Sequence, residues 1–505
     1  MDYSKWLTRE EIDVLKAKGV DLELSITNLE DFNRGAAGNT PPVIPEGVPD
    51  IDGDTVLDLR GSTAFSITAE ERENFAQKFP HAAGYLVSPP GTDVSRVELE
   101  QAGTALLPYF SYGFLNGGSA TSYGDRKKNK GFNEDLFALY EKEFTRLADA
   151  SRGKPKGVTP GFLQPDGDAG PSYMELKLRS LLMLMKKYTA LTGKEAHNIP
   201  FFQMTSVGNN NEVQDALSSY RDSPWLKPLA ASMGLSPWEG FSAVQPLVTA
   251  YTHSSKGDKK DIFRPFITIP GGHGQCFRVL KETWQNLYDR GIRFISLGNI
   301  DNIGYTLDPV ELALLALKGA AAGFDESYKT AVDIKGGILV IDDADRMNCV
   351  DLGVGISFEE AAALEASGKK ILFNCGSGLF SLEWLLDNID RIIQDLPLRF
   401  SDQNKDAGLY SQAEQVTWEV IGMINKPLIF AVDKYDRFLA AKILLENMMT
   451  SGCKLDDPAF PADRAKGGIR HTAENLHRGL KDILIRKYGL KLQNNRWIPV
   501  ESEGQ

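Results

Sequence analysis

A glycine-rich segment with a basic end is the first part of the sequence that could do chemistry. It reads FLNGGSATSYGDRKKNKG and covers residues 114–131. Glycines such as Gly117 and Gly118 let the backbone approach a ligand closely and turn its amides toward an anion. Thr121 adds a hydroxyl donor, and Arg126 begins the basic run. The segment fits neither the Walker pattern nor the G-x-G-x-x-G pattern, so its composition leaves open a phosphate-binding loop or a solvated surface turn.

Three further segments place polar residues directly after apolar runs. Asp301 lies in SLGNIDNIGY, where a lone carboxylate suits Mg²⁺ bound with substrate phosphates, although an Asp that caps the next turn is the structural alternative. His273 lies among glycines in IPGGHGQ. We expect it to act as a hydrogen-bond donor rather than a metal ligand, because no second His or Cys lies at ligand spacing. Lys434, in KPLIFAVDK, could reach a phosphate or pair with Asp433 or Asp436.

A fourth candidate is Lys156, which lies in GKPKGVTP just before a predicted helix. An ammonium group at this point can act as a point charge for a phosphate. The same residue can also be a solvated loop lysine, and the segment taken alone favours that alternative.

The composition is that of a globular protein with an acidic balance. The 505 residues are 42% hydrophobic and 25% charged, and the net charge of -12 argues against a general nucleic-acid binder. No apolar run reaches the length of a membrane span, and the first residues lack the apolar core of a signal peptide. The four cysteines form no C-x-x-C pair, so we expect free thiols and a cytoplasmic location.

Alternating strands and helices are the framework predicted to position these residues. Short apolar runs that end in polar or glycine residues predict strands in LLPYFSYGFL, IPFFQMTS, RPFITIPGG, IRFISLGNID, GILVID, KKILFNCG and KPLIFAVDK. Such alternation is typical of an α/β fold with a mostly parallel, doubly wound central sheet. Ligands bind beyond the carboxyl ends of the strands in such sheets, which is where the candidate residues lie.

Capping residues predict where several helices begin. We predict helix starts at Thr8, Asn133, Ser172 and Asp308, and a helix end at Gly193. From these patterns we predict an N-terminal arm or lobe in residues 1–100, a catalytic domain in 101–430 and a mostly helical C-terminal segment in 431–505.

The order of the segments resembles the eukaryotic-type UTP–sugar-1-phosphate uridylyltransferases, which include the UDP-glucose and UDP-N-acetylhexosamine pyrophosphorylases. LNGGxxT, PKG, MTS, PGGHG, NIDN, KGG, FN and VDK follow one another between about residues 113 and 434. Each motif alone is weak, but eight of them in one order are fairly specific. The resemblance implies a Rossmann-like nucleotidyltransferase domain with an N-terminal lobe and a smaller C-terminal domain.

The resemblance also implies roles for individual residues. It assigns the triphosphate and uridine site to Gly117, Gly118, Thr121, Gln245 and Gly272, and the sugar phosphate site to His273, Asn374 and Glu414. It assigns Mg²⁺ to Asp301, and phosphate neutralisation in catalysis to Lys156, Lys434 and a basic residue for which Arg126 is the best candidate.

Three departures from the family pattern accompany the resemblance. Ala120 stands where the family has glycine, and an insertion over residues 125–153 separates the glycine loop from Lys156. Arg126 either substitutes for the family's usual basic residue or belongs to an exposed flap. The C-terminal segment shows no β-helix pattern, so the oligomeric state stays open.

The implied reaction is Mg²⁺-dependent transfer of the uridylyl group from UTP to a sugar 1-phosphate, with glucose 1-phosphate favoured because GHG resembles the UDP-glucose branch. Such chemistry needs positioning and charge neutralisation rather than a nucleophilic side chain. A UDP-N-acetylhexosamine pyrophosphorylase, a non-catalytic nucleotide-sugar binder and a glycosyltransferase are the alternatives.

Overall fold

The computed structural model describes residues 2–35, 43–118, 123–253, 259–330, 333, 336–353, 355–405, 408–465 and 468–500. Its strands are β1 Pro45–Gly47, β2 Val56–Asp58, β3 Ala64–Phe65, β4 Val94–Ser95, β5 Phe110–Leu115, β6 Phe201–Ser206, β7 Gly240–Gln245, β8 Leu247–Thr249, β9 Tyr251–Thr252, β10 Thr268–Pro270, β11 Phe294–Asn299, β12 Ala322–Tyr328, β13 Gly337–Asp342, β14 Met347–Asp351, β15 Leu372–Ser381, β16 Leu398–Lys405, β17 Gly408–Gln415, β18 Leu428–Val432, β19 Leu490–Gln493 and β20 Arg496–Pro499.

The helices connect and cover these strands. They are α1 Arg9–Ala17, α2 Leu22–Arg34, α3 Ala69–Lys78, α4 Pro80–Ala83, α5 Arg96–Ala105, α6 Arg126–Phe132, α7 Glu134–Ser151, α8 Tyr173–Thr192, α9 Asn210–Ser219, α10 Lys227–Ala231, α11 Cys276–Val279, α12 Lys281–Asp289, α13 Pro309–Leu317, α14 Phe358–Ala366, α15 Leu382–Asp395, α16 Lys434–Arg437, α17 Leu444–Thr450 and α18 Ile469–Arg486. Short 3₁₀ turns cover Leu107–Tyr109, Lys156–Val158, Tyr220–Asp222, His273–Gln275 and Thr417–Met423. None of the helices in the described ranges has both the length and the apolar character needed to cross a membrane.

A mostly parallel central sheet organises the molecule, which confirms the predicted fold class. Its main strand order is β2-β18-β12-β15-β11-β5-β6-β7. Only β15 runs antiparallel to its neighbours along this path. The short strands β1, β13 and β14 extend the sheet through an antiparallel contact between β13 and β15. The predicted strand in RPFITIPGG, β10, instead pairs with β8 in a separate two-stranded sheet.

Helices cover both faces of this sheet, as a doubly wound fold requires. On one face, apolar residues of α5, α8 and α13 pack with Tyr112 and Phe114 of β5. On the other face, α12 and α15 pack against Phe202 of β6 and Leu297 of β11. The strands between these layers are buried on both sides, which explains why the sequence shows them as nearly continuous apolar runs.

The predicted helix caps are confirmed. The side chains of Thr8, Asn133, Ser172 and Asp308 each accept a backbone N–H in the first turn of α1, α7, α8 and α13, respectively. Helix α8 ends at Gly193, whose φ of 65° is left-handed. All four cysteines are free thiols, as expected.

The inserted helices α6 and α7 pack against the C-terminal part of the chain. Phe137, Tyr140 and Phe144 of α7 share an apolar cluster with Leu445 and Met448 of α17. The inserted segment is therefore a packed layer of the molecule, and its helices share a core with residues that lie far away in sequence.

The same contact anchors the second half of the glycine-rich segment. The backbone oxygen of Tyr123 accepts the N–H of Leu444 at 2.9 Å, and the Tyr123 hydroxyl accepts the Asn447 amide at 2.7 Å. Asn129, whose side chain is buried, accepts the N–H of Leu445 at 2.8 Å. The start of α17 thus holds the point where the glycine-rich segment leads into the insertion.

A hairpin at the C-terminal end adds two short strands to the helices of residues 431–505. Helix α18 is present, but β19 and β20 follow it as an antiparallel pair. Asn494 and Asn495 form the turn with positive φ angles of 50° and 57°. Asparagine tolerates that conformation and is favoured in two-residue hairpin turns, so the pair NN in LQNNRW was the signal for this hairpin.

Substitution of Gly103 by alanine should destabilise the fold strongly. A Cβ at Gly103 in α5 would lie 1.7 Å from the backbone oxygen of Pro309 in α13, so the two helices would have to separate. We expect the free energy of unfolding, measured by chemical denaturation, to fall by about 3 kcal/mol or more. Gly131→Ala is the matched control, because a Cβ on this glycine of α6 meets no atom within 4 Å. Equal denaturation midpoints for the two variants would contradict this prediction.

Candidate active site

The candidate residues gather at one edge of the central sheet. Gly117 follows β5, Gln245 ends β7, Asp301 follows β11 and Lys434 follows β18. These four strands run parallel within the sheet, so their carboxyl ends meet at the same edge. Open α/β sheets bind their ligands at this edge.

An ion pair between Lys156 and Asp301 lies beside the glycine loop. The Lys156 ammonium donates to the Asp301 carboxylate, and both side chains are partly buried. The Lys156 backbone N–H donates to the Gly118 oxygen at 3.2 Å. The next residue, Gly157, has no room for a side chain, since a Cβ there would lie 2.4 Å from Oδ1 of Asn116. The close packing of two glycine-containing loops therefore places Lys156 next to Asp301.

A second series of contacts runs from the glycine loop to β17. A Cβ on Gly117 would lie 3.2 Å from Oε1 of Gln245, and Nε2 of Gln245 donates to the Gly272 oxygen at 2.5 Å. Gly272 has a φ of 88°, and a Cβ there would lie 2.4 Å from the Gln415 oxygen and 2.9 Å from Cβ of Glu414. Only glycine fits this position, because both the backbone conformation and the space exclude a side chain.

His273, which directly follows Gly272, is held as a neutral imidazole. Its Nδ1 accepts the backbone N–H of Thr417 at 3.0 Å and lies 2.8 Å from the Thr417 hydroxyl. Burial lowers the pKa of His273 to about 4. Because Nδ1 is an acceptor, the proton of the neutral ring is on Nε2, and this group can donate to a ligand.

Replacement of His273 by asparagine should remove part of the acid sensitivity of the fold. The pKa is lowered from 6.5 to about 4 in the folded protein, so stability is lost as the pH falls from 6.5 toward 4 and the unfolded chain binds a proton. Over that range the free energy of unfolding of the wild type should fall by about 2–3 kcal/mol more than that of the variant. Denaturation at stepwise pH measures the difference, and parallel curves would contradict it.

Asn374 forms part of a polar pair that sequence reasoning only half identified. Its Nδ2 donates to Oε1 of Glu326 at 2.8 Å, and its Oδ1 accepts the Gly376 N–H at 2.8 Å. Burial raises the pKa of Glu326 to about 8, so this carboxyl group is largely protonated near neutral pH. Sequence reasoning missed Glu326, although acidic residues inside the strand AGFDESY were the available signal.

Two predicted catalytic residues have partners of their own. Arg126 pairs with Glu141 of α7, and both side chains are more than half exposed. Lys434 pairs with Asp333 in a buried ion pair, rather than with either of the two neighbouring aspartates. Within the described ranges, Arg126 contacts Glu141 and the ring of Phe137, and no ion pair joins it to Asp301. Thr121 and Ala120 lie outside the described residues.

The carboxylate of Asp301 is suited to a hard cation. Across the described ranges, no group of three or more His, Cys, Asp or Glu side chains could hold a metal ion. Asp301 nevertheless accommodates one positive charge, since the Lys156 ammonium lies against it. Mg²⁺ commonly binds one or two carboxylates and completes its coordination with waters and substrate phosphates, so the residues present fit such an ion.

Sequence comparisons identify related proteins over part of the chain. A family model described as UTP–glucose-1-phosphate uridylyltransferase matches residues 171–451, which is just over half of the chain. Two Schizosaccharomyces pombe proteins named "Probable UTP–glucose-1-phosphate uridylyltransferase" are 24% and 25% identical over 173 and 174 residues. Each match covers 34% of this chain and 31% of the relative, so it spans about a third of each protein.

Structural comparisons find similar folds over nearly the whole chain. The uridine diphosphate N-acetylglucosamine pyrophosphorylase of Trypanosoma brucei has a TM-score of 0.56 and 16% identity, with 95% of this chain and 92% of that chain covered. The structure described as UDP-glucose phosphorylase of the same organism has a TM-score of 0.52 and 16% identity, with 97% and 80% covered. At this identity the likeness shows the fold alone.

Proposed function

Since the chain belongs to the UTP–glucose-1-phosphate uridylyltransferase family, we propose that it transfers the uridylyl group of UTP to a sugar 1-phosphate. Glucose 1-phosphate is the proposed acceptor, because the family description and the GHG motif both point to the UDP-glucose branch. The products are UDP-glucose and pyrophosphate.

One observation carries the proposal: the Lys156–Asp301 pair lies beside the glycine loop at the carboxyl edge of the parallel sheet. A site for two polyanionic substrates needs positive charge, backbone donors and a carboxylate for a divalent cation within one small region. The glycine loop, Lys156 and Asp301 supply these three elements in an otherwise acidic protein.

The proposed reaction requires no covalent intermediate with the protein. An oxygen of the sugar phosphate attacks the α-phosphorus of UTP in line, a new P–O bond forms, and the bond to the β-phosphate breaks as pyrophosphate leaves. Lys156 would exchange its bond to Asp301 for phosphate oxygens and offset their charge. Asp301 would hold Mg²⁺, and the bound ion would supply Lewis-acid stabilisation of the negative charge that develops in the reaction.

Other residues of the site would bind and orient the substrates. Gly117 and Gly118 allow the backbone to lie close to the nucleotide, and Gln245 would direct its amide to the uracil ring. The Nε2–H of His273 would donate to a phosphate or sugar oxygen. Asn374 would act on the sugar side, with its orientation fixed by Glu326.

The test is pyrophosphate release by the purified full chain. UTP with glucose 1-phosphate and Mg²⁺ should give pyrophosphate and UDP-glucose, and a chelator should stop the release. N-acetylglucosamine 1-phosphate is the comparison substrate, and faster release with it would assign the chain to the other branch. If the folded protein releases pyrophosphate with neither sugar, the enzymatic proposal is wrong. Calorimetric binding of UDP-glucose without turnover would then support the non-catalytic binder.

A further inference from the structure

Asn302, the residue after the proposed metal-binding aspartate, has a fully buried side chain with all of its hydrogen-bonding capacity in use. Its Oδ1 accepts the backbone N–H of Gly304 at 3.0 Å and that of Leu439 at 3.0 Å. Its Nδ2 donates to the oxygen of Arg437 at 2.9 Å and to that of Cys375 at 3.4 Å. An asparagine amide offers two donors and two acceptor sites, so none remains free.

These four bonds join three separate elements. The first is the loop after β11, which carries Asp301. The second is the segment that begins in α16, the helix that starts at Lys434. The third is β15, where Cys375 directly follows Asn374. Each element carries a residue proposed above to bind Mg²⁺, phosphate or sugar.

Buried polar and charged side chains hold the groups that bond to the Asn302 amide. The side-chain nitrogen of Lys177, in α8, donates to the backbone oxygen of Asn302 at 2.5 Å. The guanidinium of Arg437 is buried and donates to Glu311 at 2.8 Å and to Asp325 at 2.7 Å. Breaking such buried contacts is costly. Lys177 therefore holds the loop after β11 in place, and the ion pairs of Arg437 hold the end of α16 in place.

A purely local role would require fewer contacts. An asparagine that only stabilises its own turn needs the bond from Oδ1 to the N–H of Gly304. The bonds to Cys375 and Arg437 instead reach residues 73 and 135 positions away in sequence. They join the loop after β11 to the last residue of α16 and to β15, so they fix the relative position of three elements at one edge of the sheet.

We propose that Asn302 is a positioning residue of the uridylyl transfer, which sets Asp301, Lys434 and Asn374 at fixed distances from one another. The inference rests on the proposed function, because the three residues have to act on the same pair of substrates. In-line transfer between two phosphates is sensitive to such distances, and a displacement of about 1 Å can reduce the rate about a hundredfold. Binding of either substrate alone depends less on the relative position of the three groups.

Asn302→Ala in the full chain tests this role. We expect kcat to fall about a hundredfold while KM for UTP stays within about threefold. Hydrogen exchange should become at least about tenfold faster at the amides of Gly304 and Leu439, which both lose their acceptor. Asn348→Ala is the matched control, since Asn348 is 9% exposed and its Nδ2 donates to Asp342 at 2.7 Å in the peripheral β13–β14 hairpin. Its kcat should stay within about twofold of the wild type.

The outcomes separate this inference from the proposed function. A wild type without turnover would refute the function, whereas an active wild type with equal kcat for Asn302→Ala and Asn348→Ala would refute the positioning role. If Asn302→Ala does not fold, Asn302→Asp decides the question, because it keeps Oδ1 and places an oxygen against the carbonyls of Cys375 and Arg437. We expect it to lose kcat as well, and wild-type kcat in this variant would overturn the proposal.

Discussion

Replacement of Asp301 by asparagine should reduce kcat for pyrophosphate release by at least about a thousandfold. The substitution keeps the shape of the side chain but removes the negative charge that a divalent cation requires. It also leaves the positive charge of the Lys156 ammonium uncompensated at the edge of the sheet. The effect should be mainly on catalysis, because the amide oxygen of asparagine can still accept a hydrogen bond from Lys156.

A matched control variant tests whether the loss of activity is specific to the Lys156–Asp301 pair or follows from breaking any aspartate–lysine pair. Asp222 and Lys227 form such a pair at 2.7 Å on the exposed surface. Asp222→Asn should retain kcat within about twofold, and both variants should unfold close to the wild-type denaturation midpoint. If Asp301→Asn keeps activity within a few-fold at saturating Mg²⁺, the carboxylate does not bind the metal and the assignment is wrong.

Replacement of Lys156 by methionine should reduce kcat/KM for UTP by about a hundred- to a thousandfold. Methionine keeps the apolar stem of the side chain and removes only the ammonium. The positive charge opposite the phosphates is then lost, while the backbone N–H that donates to Gly118 stays in place. Steady-state rates of pyrophosphate release over a range of UTP concentrations measure the effect.

Two further variants define what the ammonium contributes. Lys156→Arg restores the charge with a different geometry, so we expect it to recover part of the lost rate. Lys227→Met is the surface control and should behave like the wild type, because its partner Asp222 is exposed. Equal loss in Lys156→Met and Lys156→Arg would favour a role in packing over a role in charge neutralisation. An unchanged kcat/KM in Lys156→Met would show that this is not the phosphate-binding lysine.

Local features of the fold were predictable from the sequence. The caps at Thr8, Asn133, Ser172 and Asp308 depend on side chains and amides within one helical turn, and all four are present. The apolar runs also located the main strands of the sheet. The direction of each strand in the sheet could not be predicted from these runs. The antiparallel direction of β15 depends on its pairing with β11 and β12 rather than on its own residues.

Contacts between distant residues explain why the site was harder to predict. Lys156 and Asp301 were both identified from their surroundings, but their ion pair joins residues 145 positions apart and no local pattern encodes it. For Lys434 the sequence left open a phosphate or an adjacent aspartate as partner, and the side chain pairs with Asp333, 101 positions away. Asn302 was visible in NIDN, yet its importance depends on carbonyl groups that only the folded chain brings to it.

The packing of α7 on α17 has a consequence for how the protein is made. Tyr123, in the middle of the glycine-rich segment, is held by Asn447, which lies 324 residues further along the chain. At a synthesis rate of about 5–20 residues per second, roughly 15–65 s pass between the appearance of these two residues. During this interval the apolar face of α7 has no α17 to cover it, and the glycine-rich segment lacks its anchor. The growing chain therefore exposes this apolar face for that time, and nucleotide binding should be among the last properties that it acquires.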